Sequence, residues 1–537
     1  MSMKVATNGR TTQAVASVID QLVADRVASR INAKDFTLWG KDAESESSIR
    51  LGWTHSAGDS ESLIPDILAL RAEFASKGVD RVVLCGMGGS SLAPEVITKT
   101  AGVDLVVLDS TNPEQVGLAL DGDLTRTAVV VSSKSGSTVE TDSQKRLFEE
   151  AFTNAGIDKT DRIVIVTDPG SPMEAAAKLD GYRIFNADPN VGGRYSALTA
   201  FGLVPSGLAG VDIQALVIEA KAAAEVLAVD DPNNPGLVLG AVLARSKSTR
   251  GYADKVGIIE AGTHIRGFGD WAEQLIAEST GKLGRGVLPV VLDSHSPELL
   301  NETDDLVIAR VVADATTAQL DEVSVSGSLG GQFLLWEYAT VVASLLIGIN
   351  PFDQPDVESA KIAARAMLEN RAEIGAPVLT ANGIEVRTAG FALSSATTLA
   401  EALGAWLNHV DPASGYLSVQ AYLNRLGNPE LVAVRDLLAE ASNRPTTFGW
   451  APRFLHSTGQ YHKGGPAQGI FLQITAHSER EIHVPGRDFT LGELIASQAA
   501  GDAKVLANHE RPVLTLTLTD VKSGVAELLS TLRELKA

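Results

Sequence analysis

A chain of 537 residues, 45% hydrophobic and 21% charged, is long enough for two or three domains and too apolar to be disordered. Its formal net charge of −21 argues against nucleic acid or an anionic membrane surface as a partner. A site for an anionic substrate must therefore be built locally, from N–H groups, hydroxyls and a few cations.

The one cysteine, Cys85, excludes a disulfide framework and a thiolate metal cluster. The N-terminal MSMKVATNGR lacks the apolar segment of a signal peptide. The most apolar run, ATVVASLLIGI (339–349), is too short for a bilayer and reads as a core helix. The expectation is a cytoplasmic protein.

In chain order, residues 12–32 and 61–77 carry apolar residues at helical spacing. Strand-like runs follow at 81–85, 104–108, 128–132 and 162–167, each trailed by a helix-like segment. That rhythm predicts an α/β fold, a parallel sheet sandwiched by helices. Ligands bind beyond the carboxyl ends of such strands, where the loops 86–91 and 132–138 fall. DDPNNPG (230–236) reads as a linker, after which the rhythm restarts with strands at 255–260, 286–292 and 306–312 and helices near 270–280 and 332–348. From about 390 the pattern is mixed, with helices near 394–407 and 428–441, strands at 469–475 and 513–518, and a closing helix. The expected division is 1–229, 230–390 and 391–537: two α/β units and a smaller C-terminal α+β region.

Several stretches carry chemistry. GMGGSS (86–91) follows a strand and opens a helix, but a dinucleotide fingerprint needs glycine where Ser91 stands. Asp109, at the end of the next strand, keeps a nicotinamide dehydrogenase reading open. VVVSSKSGSTVET (129–141) runs a buried strand into hydroxyls at a helix start. Ser137 and Glu140 fit a capping box, while Ser132, Ser133, Lys134, Ser135 and Thr138 are left over and suit a phosphate seat. In QLIAESTGK (274–282), Gln274 and Glu278 share one helix face, and Glu278 is a candidate base at the helix end. In NPFDQPDVESAK (350–361), Gln354, Glu358 and Lys361 share a face, with a Glu358–Lys361 surface pair as the default reading. Arg194 stands behind a glycine pair in GGRYS. His456 and His462 in RFLHSTGQYHKGG are six apart, the wrong spacing for two ligands on one helix turn, and no metal site is expected.

Together these segments resemble phosphoglucose isomerase, a family with two sugar-isomerase domains. Five short matches run in the family's order from Gly86 to Lys361. The resemblance implies Gly89 and Ser90 at the substrate, and Ser133, Lys134, Ser135 and Thr138 around its phosphate. It implies Arg194 as the catalytic arginine, Gln274 as a substrate contact, Glu278 as the base, and Gln354 and Lys361 facing the sugar. The family usually carries its ring-opening histidine between the glutamate and FDQ motifs. Here His295 has the wrong neighbours, and the similar string LHSTGQ (455–460) comes about a hundred residues after the FDQ motif. Either the element has moved in chain order and returns with His456 to the same place, or another residue fills the role. Asp356 replaces a glycine usual in the lysine motif. Rearranged C-terminal halves of this kind resemble the isomerase part of actinobacterial transaldolase fusions, though no transaldolase segment is read here.

The implied activity is reversible interconversion of glucose 6-phosphate and fructose 6-phosphate, through ring opening by His456 and Lys361 and a cis-enediolate formed by Glu278. No cofactor is implied, and the family suggests a homodimer. A non-catalytic sugar-phosphate sensor on the same fold and an isomerase that also takes mannose 6-phosphate are the alternatives.

Overall fold

The computed structural model describes residues 3–301, 303–356, 362, 368, 375–393 and 395–536. The chain opens on β1 (Lys4–Thr7), followed by three short helices, Arg10–Ala16, Ile19–Ala24 and Val27–Asn32. The helical spacing at 12–32 is realised as these three helices, with a first interruption at Val18, φ −138°. The second break falls where Arg26 takes a left-handed conformation, φ 57°, which no helix interior accommodates.

The first sheet holds β2 (Arg81–Gly86), β3 (Val106–Leu108), β4 (Thr127–Ser132), β5 (Ile163–Thr167) and β6 (Arg183–Asn186). Its order is β3-β2-β4-β5-β6 and every pairing is parallel. The near-continuous burial of β2, β4 and β5 is what a parallel sheet covered on both faces requires. After a small hairpin, β7 (Lys247–Ser248) and β8 (Gly251–Tyr252), the second sheet is built from β9 (Lys255–Glu260), β10 (Leu288–Leu292), β11 (Leu306–Val311) and β12 (Val323–Ser326). These four are parallel, and β1 returns from the N-terminus to pair antiparallel with β12. One apolar cluster, running from Ile19 to Phe352, joins residues under both sheets. Its spine is Leu329–Ile347, buried from Leu329 to Ser344 and packed on Ile213–Leu227 and Pro235–Arg245. It is the one described helix long and apolar enough to cross a bilayer. DDPNNPG is ordered by helix capping: Asn234 Oδ1 accepts from the Gly236 N–H at 2.9 Å, and Pro235 fills the first helical turn.

The third sheet takes in β13 (Leu379–Ala381) and β14 (Ile384–Ala389), which the sequence reading had placed with the second unit. With β15 (Tyr416–Ala421), β16 (Thr446–Trp450), β17 (Gly469–Ala476) and β18 (Val513–Leu518) the order is β13-β14-β18-β17-β15-β16. β15 to β18 are parallel, and β13–β14 form an antiparallel edge. This unit docks on the rest partly through buried charge. Arg453 pairs with Glu95 and Asp109, Arg435 Nη2 meets Glu298 Oε1 at 2.5 Å, and Arg444 pairs with Asp305. Such pairs are worth little as net stability, but removing one partner strands a buried charge, so they fix how the units meet.

Candidate active site

The Phe268–Thr280 helix is buried at every position except Asp270. Glu278 and Gln274 lie one turn apart, and Gln274 Nε2 donates to Glu278 Oε2 at 3.1 Å. The same amide nitrogen donates to the carbonyl of His456 at 2.8 Å. The glycine turn after β2 makes room for this. A Cβ at Gly88, whose φ is +55°, would sit 2.7 Å from the His456 carbonyl oxygen and 2.9 Å from Gln274 Nε2. A Cβ at Gly89 would lie 1.9 Å from the Gly193 oxygen, so the GMGGSS turn and the GGRYS turn touch backbone to backbone. Ser90 closes that turn and is buried.

Arg194 is 3% exposed and every face of its guanidinium is engaged. Its Nη1 donates to Gln354 Oε1 at 2.8 Å and stands 3.8 Å from Glu278 Oε2. Its Nε donates to Ser279 Oγ at 2.8 Å, and Nη2 donates to the Pro351 carbonyl at 2.5 Å. The Tyr195 hydroxyl lies 2.9 Å from the same Ser279 Oγ. Burial raises the Glu278 pKa above the ordinary glutamate value, opposed by Arg194 and by the Gln274 bond. Lys282 is a residue the sequence reading passed over. Its Nζ donates to the Asn350 carbonyl at 2.8 Å and to Asp353 Oδ1 at 2.7 Å, tying the glutamate motif to the FDQ motif. Burial first, and then repulsion from Arg194, pulls its pKa down to about 8.

His456 arrives on a short turn, Arg453–His456, of the same chain. Its Nε2 lies 2.9 Å from Glu140 Oε1, and Gln498 Nε2 donates to that oxygen at 2.7 Å. The capping box expected between Ser137 and Glu140 does not form. The helix begins at Val139 with Thr138 as its cap residue, so Glu140 is one position too early to reach back, and its carboxylate meets His456 instead. The LHSTGQ string thus returns to the glutamate helix. Gln460 Nε2 donates to the Gly281 carbonyl at 2.9 Å and to Asp356 Oδ2 at 2.7 Å, while its Oε1 accepts from the Asp356 N–H at 2.9 Å. Asp356, standing where a glycine is usual, is held by this second amide. His462 packs among Tyr416, Phe454 and Phe471.

The loop after β4 holds its hydroxyls close together. Ser133 Oγ lies 3.4 Å from Thr138 Oγ1 and accepts from the Gly136 N–H at 3.1 Å, and Ser135 Oγ is 2.9 Å from Ser137 Oγ. Thr138 makes no side-chain cap, which leaves the first-turn N–H groups of Val139–Asn154 facing the loop. Lys134 is paired to Asp168 and donates to the Pro189 carbonyl at 3.4 Å; burial lowers its pKa, and Asp168 opposes the shift. The Glu358–Lys361 pair and Lys361 itself lie outside the described residues. Asp109, the ribose acceptor that a dehydrogenase would need, is buried against Arg453 and lies 3.8 Å from Arg425 Nη2.

A family model described as phosphoglucose isomerase matches residues 71–286. A protein named probable glucose-6-phosphate isomerase from Haloarcula marismortui is 34% identical over 302 residues, covering 52% of this chain and 69% of the relative. Among solved structures, a hypothetical protein from Thermus thermophilus superposes with a TM-score of 0.57 at 24% identity, over 68% of this chain and all of that one. A glucose-6-phosphate isomerase from Chlamydia trachomatis gives a TM-score of 0.50 at 20% identity, over 62% of this chain and 75% of its own.

Proposed function

The chain belongs to the phosphoglucose isomerase family and interconverts glucose 6-phosphate and fructose 6-phosphate, and we propose that Glu278, Arg194, His456 and the loop after β4 carry that reaction. The observation that supports this assignment best is the single amide of Gln274, bonded to both Glu278 and the backbone of His456. It ties a candidate base to a candidate ring-opening group from a distant part of the chain.

The substrate phosphate sits among the Ser133, Ser135 and Thr138 hydroxyls and the first-turn N–H groups of Val139–Asn154. Lys134, which the resemblance also places around the phosphate, is ion-paired to Asp168. Binding the phosphate away from the reacting carbons supplies energy that orients C1 and C2 over Glu278, against the turn that carries Gly89 and Ser90. In ring opening, a proton goes to the ring oxygen as the anomeric hydroxyl gives one up and the C1–O5 bond breaks. His456, held through Nε2 by Glu140, is the group at hand for this exchange. Lys361, which the resemblance implies as its partner in ring opening, lies outside the described residues. Glu278 then removes the C2 proton, giving a cis-enediolate, and returns it at C1 as the O1 and O2 protons rearrange. Its raised pKa brings it closer to the pH at which it must both take and give a proton. Arg194, fixed by Ser279, Gln354 and Pro351, presents charge to the enediolate without having to reorganise.

No cofactor enters this scheme, and conversion of fructose 6-phosphate in a coupled assay containing EDTA tests it. A sensor would need only the phosphate seat and leaves the buried Glu278–Arg194 pair unexplained. Mannose 6-phosphate in the same assay decides the C2 epimer preference. A homodimer and a cytoplasmic location belong to this reading as well; sedimentation of the full chain tests the first.

A further inference from the structure

The helix Leu491–Asn508 joins the C-terminal unit to the candidate site. Leu491 and Leu494, in its first turn, pack in one cluster with Val131 and Phe148 of the first unit. Ile495 and Ala499 pack with Ala451 and Phe454, on the segment that leads to His456, and Leu506 packs with Phe471 and Val513 of the third sheet. Gln498 comes four residues after Leu494 and seven after Leu491, on the same apolar stripe. It is 3% exposed. A polar side chain in such a stripe costs stability unless its amide is bonded at both ends, and a leucine would fill the position without that demand.

Both ends of this amide are bonded. Nε2 donates to Glu140 Oε1 at 2.7 Å, and Oε1 accepts from Thr111 Oγ1 at 2.9 Å. Thr111 is fully buried in the loop after β3, where the carbonyl of Ser110 accepts from Gln144 Nε2 at 2.9 Å. Gln144 lies one turn on from Glu140 in Val139–Asn154. The contacts therefore close a ring, from the helix start through the β3 loop and the C-terminal helix back to Glu140. Chemistry sets the direction of its bonds. A carboxylate only accepts, so the amide must turn its nitrogen to Glu140. That leaves the amide oxygen for Thr111, whose hydroxyl supplies the proton. Glu140 Oε1 then faces two nitrogens, Gln498 Nε2 and, at 2.9 Å, His456 Nε2. As acceptor for both it requires the His456 proton on Nε2, and Nδ1 is the ring nitrogen left to exchange a proton with a sugar.

We propose that Gln498 is a positioning residue for ring opening: clamped by Thr111, it holds the Glu140 carboxylate in the orientation that fixes the ring and tautomer of His456. The inference rests on the assignment of ring opening to His456. Gln498 acts through Glu140 rather than on the sugar. Without its N–H the carboxylate is less firmly held, and its hold on the imidazole loosens with it.

Gln498→Met nearly keeps the side-chain volume, removes the N–H and tests the proposal. Turnover of cyclic fructose 6-phosphate should fall at least about fivefold, within the reach of one lost hydrogen bond to a charged group, and that of an open-chain sugar phosphate that cannot close a ring by less than about twofold. Thr111→Val, which frees the amide oxygen, should slow the cyclic substrate about twofold and leave the open-chain one unchanged, and it serves if Gln498→Met does not fold. Equal losses on the two substrates would make Gln498 a packing residue and overturn the inference, as would an unchanged cyclic rate. His456→Ala, run in parallel, distinguishes this from failure of the underlying assignment. If His456→Ala slows both substrates equally, ring opening does not belong to His456 and both readings fall. If it discriminates between them and Gln498→Met does not, the inference alone falls.

Discussion

His456 Nε2 lies 2.9 Å from the carboxylate of Glu140, on the helix whose N-terminus closes the hydroxyl-rich loop. Gln498 holds the same carboxylate oxygen from a third element. The proposed phosphate seat and the proposed ring-opening group thereby meet at one helix start, and the C-terminal unit contributes His456 and Gln498 to the candidate site.

This relationship separates two steps of the reaction. His456→Ala should turn over the cyclic substrate at least about a hundredfold more slowly, within the usual range for one positioned acid or base. An open-chain analogue, which needs no ring opening, should lose much less. Glu140→Gln should show the same discrimination with a smaller loss, because it disturbs the orientation of His456 and leaves the imidazole in place. Equal losses on cyclic and open-chain substrates would remove His456 from ring opening.

The loop after β4 makes the same contacts in ground and transition states if it binds only phosphate. Ser133→Ala combined with Thr138→Ala should therefore raise KM well beyond its effect on kcat. Inorganic phosphate or sulfate should compete with substrate at tens of millimolar, the scale of roughly 2–3 kcal/mol of binding. A double variant that lowers kcat with KM unchanged would place these hydroxyls elsewhere.

Burial raises the Glu278 pKa from the ordinary 4.5, and Arg194 works against that rise. A base must be ionised, so kcat/KM should fall on the acid side at a pH above 4.5. Arg194→Met removes the larger opposing influence and should carry that limb to still higher pH, read on the residual rate. A limb at or below 4.5, or a downward displacement in the variant, contradicts the assignment.

Glu337 lies in the middle of Leu329–Ile347, 1% exposed, with neither carboxylate oxygen hydrogen-bonded among the described residues. Burial alone raises its pKa well above 4.5. The unfolded chain ionises it first, so the stability it supports below about pH 4.5 is lost as pH rises toward the folded value. Glu337→Gln cannot ionise and should raise Tm relative to the parent at about pH 8, with the difference vanishing near pH 4. Equal Tm differences at both values would mean that Glu337 is ionised in the folded protein.

Much of this was legible in the sequence where the determinants are local. Lys255–Glu260 and Val513–Leu518 were read at their observed bounds, since each is a short run rich in branched apolar residues. Arg183–Asn186 and Thr446–Trp450 were not, because they are edge strands with polar or glycine-containing sequences and take their form from one neighbour. Gln274, Glu278, Arg194 and Gln354 stand in compact motifs, and the structure brings them together. Glu140 looked like a capping residue because its actual partner lies 316 residues away in the chain. Lys282 and Ser279 were hidden for the same reason: their bonds to Asn350 and Arg194 cross 68 and 85 residues.

The central claim is that Glu278 moves the proton between C2 and C1. Its most direct test is Glu278→Gln, assayed for kcat on fructose 6-phosphate and for exchange of the substrate C1 proton with solvent deuterium. The account predicts retained substrate binding, a loss of kcat of at least about a thousandfold, and loss of exchange in parallel, since one group performs both transfers. A variant that keeps more than a tenth of the wild-type rate, or that still exchanges the proton at the parent's rate, would contradict it.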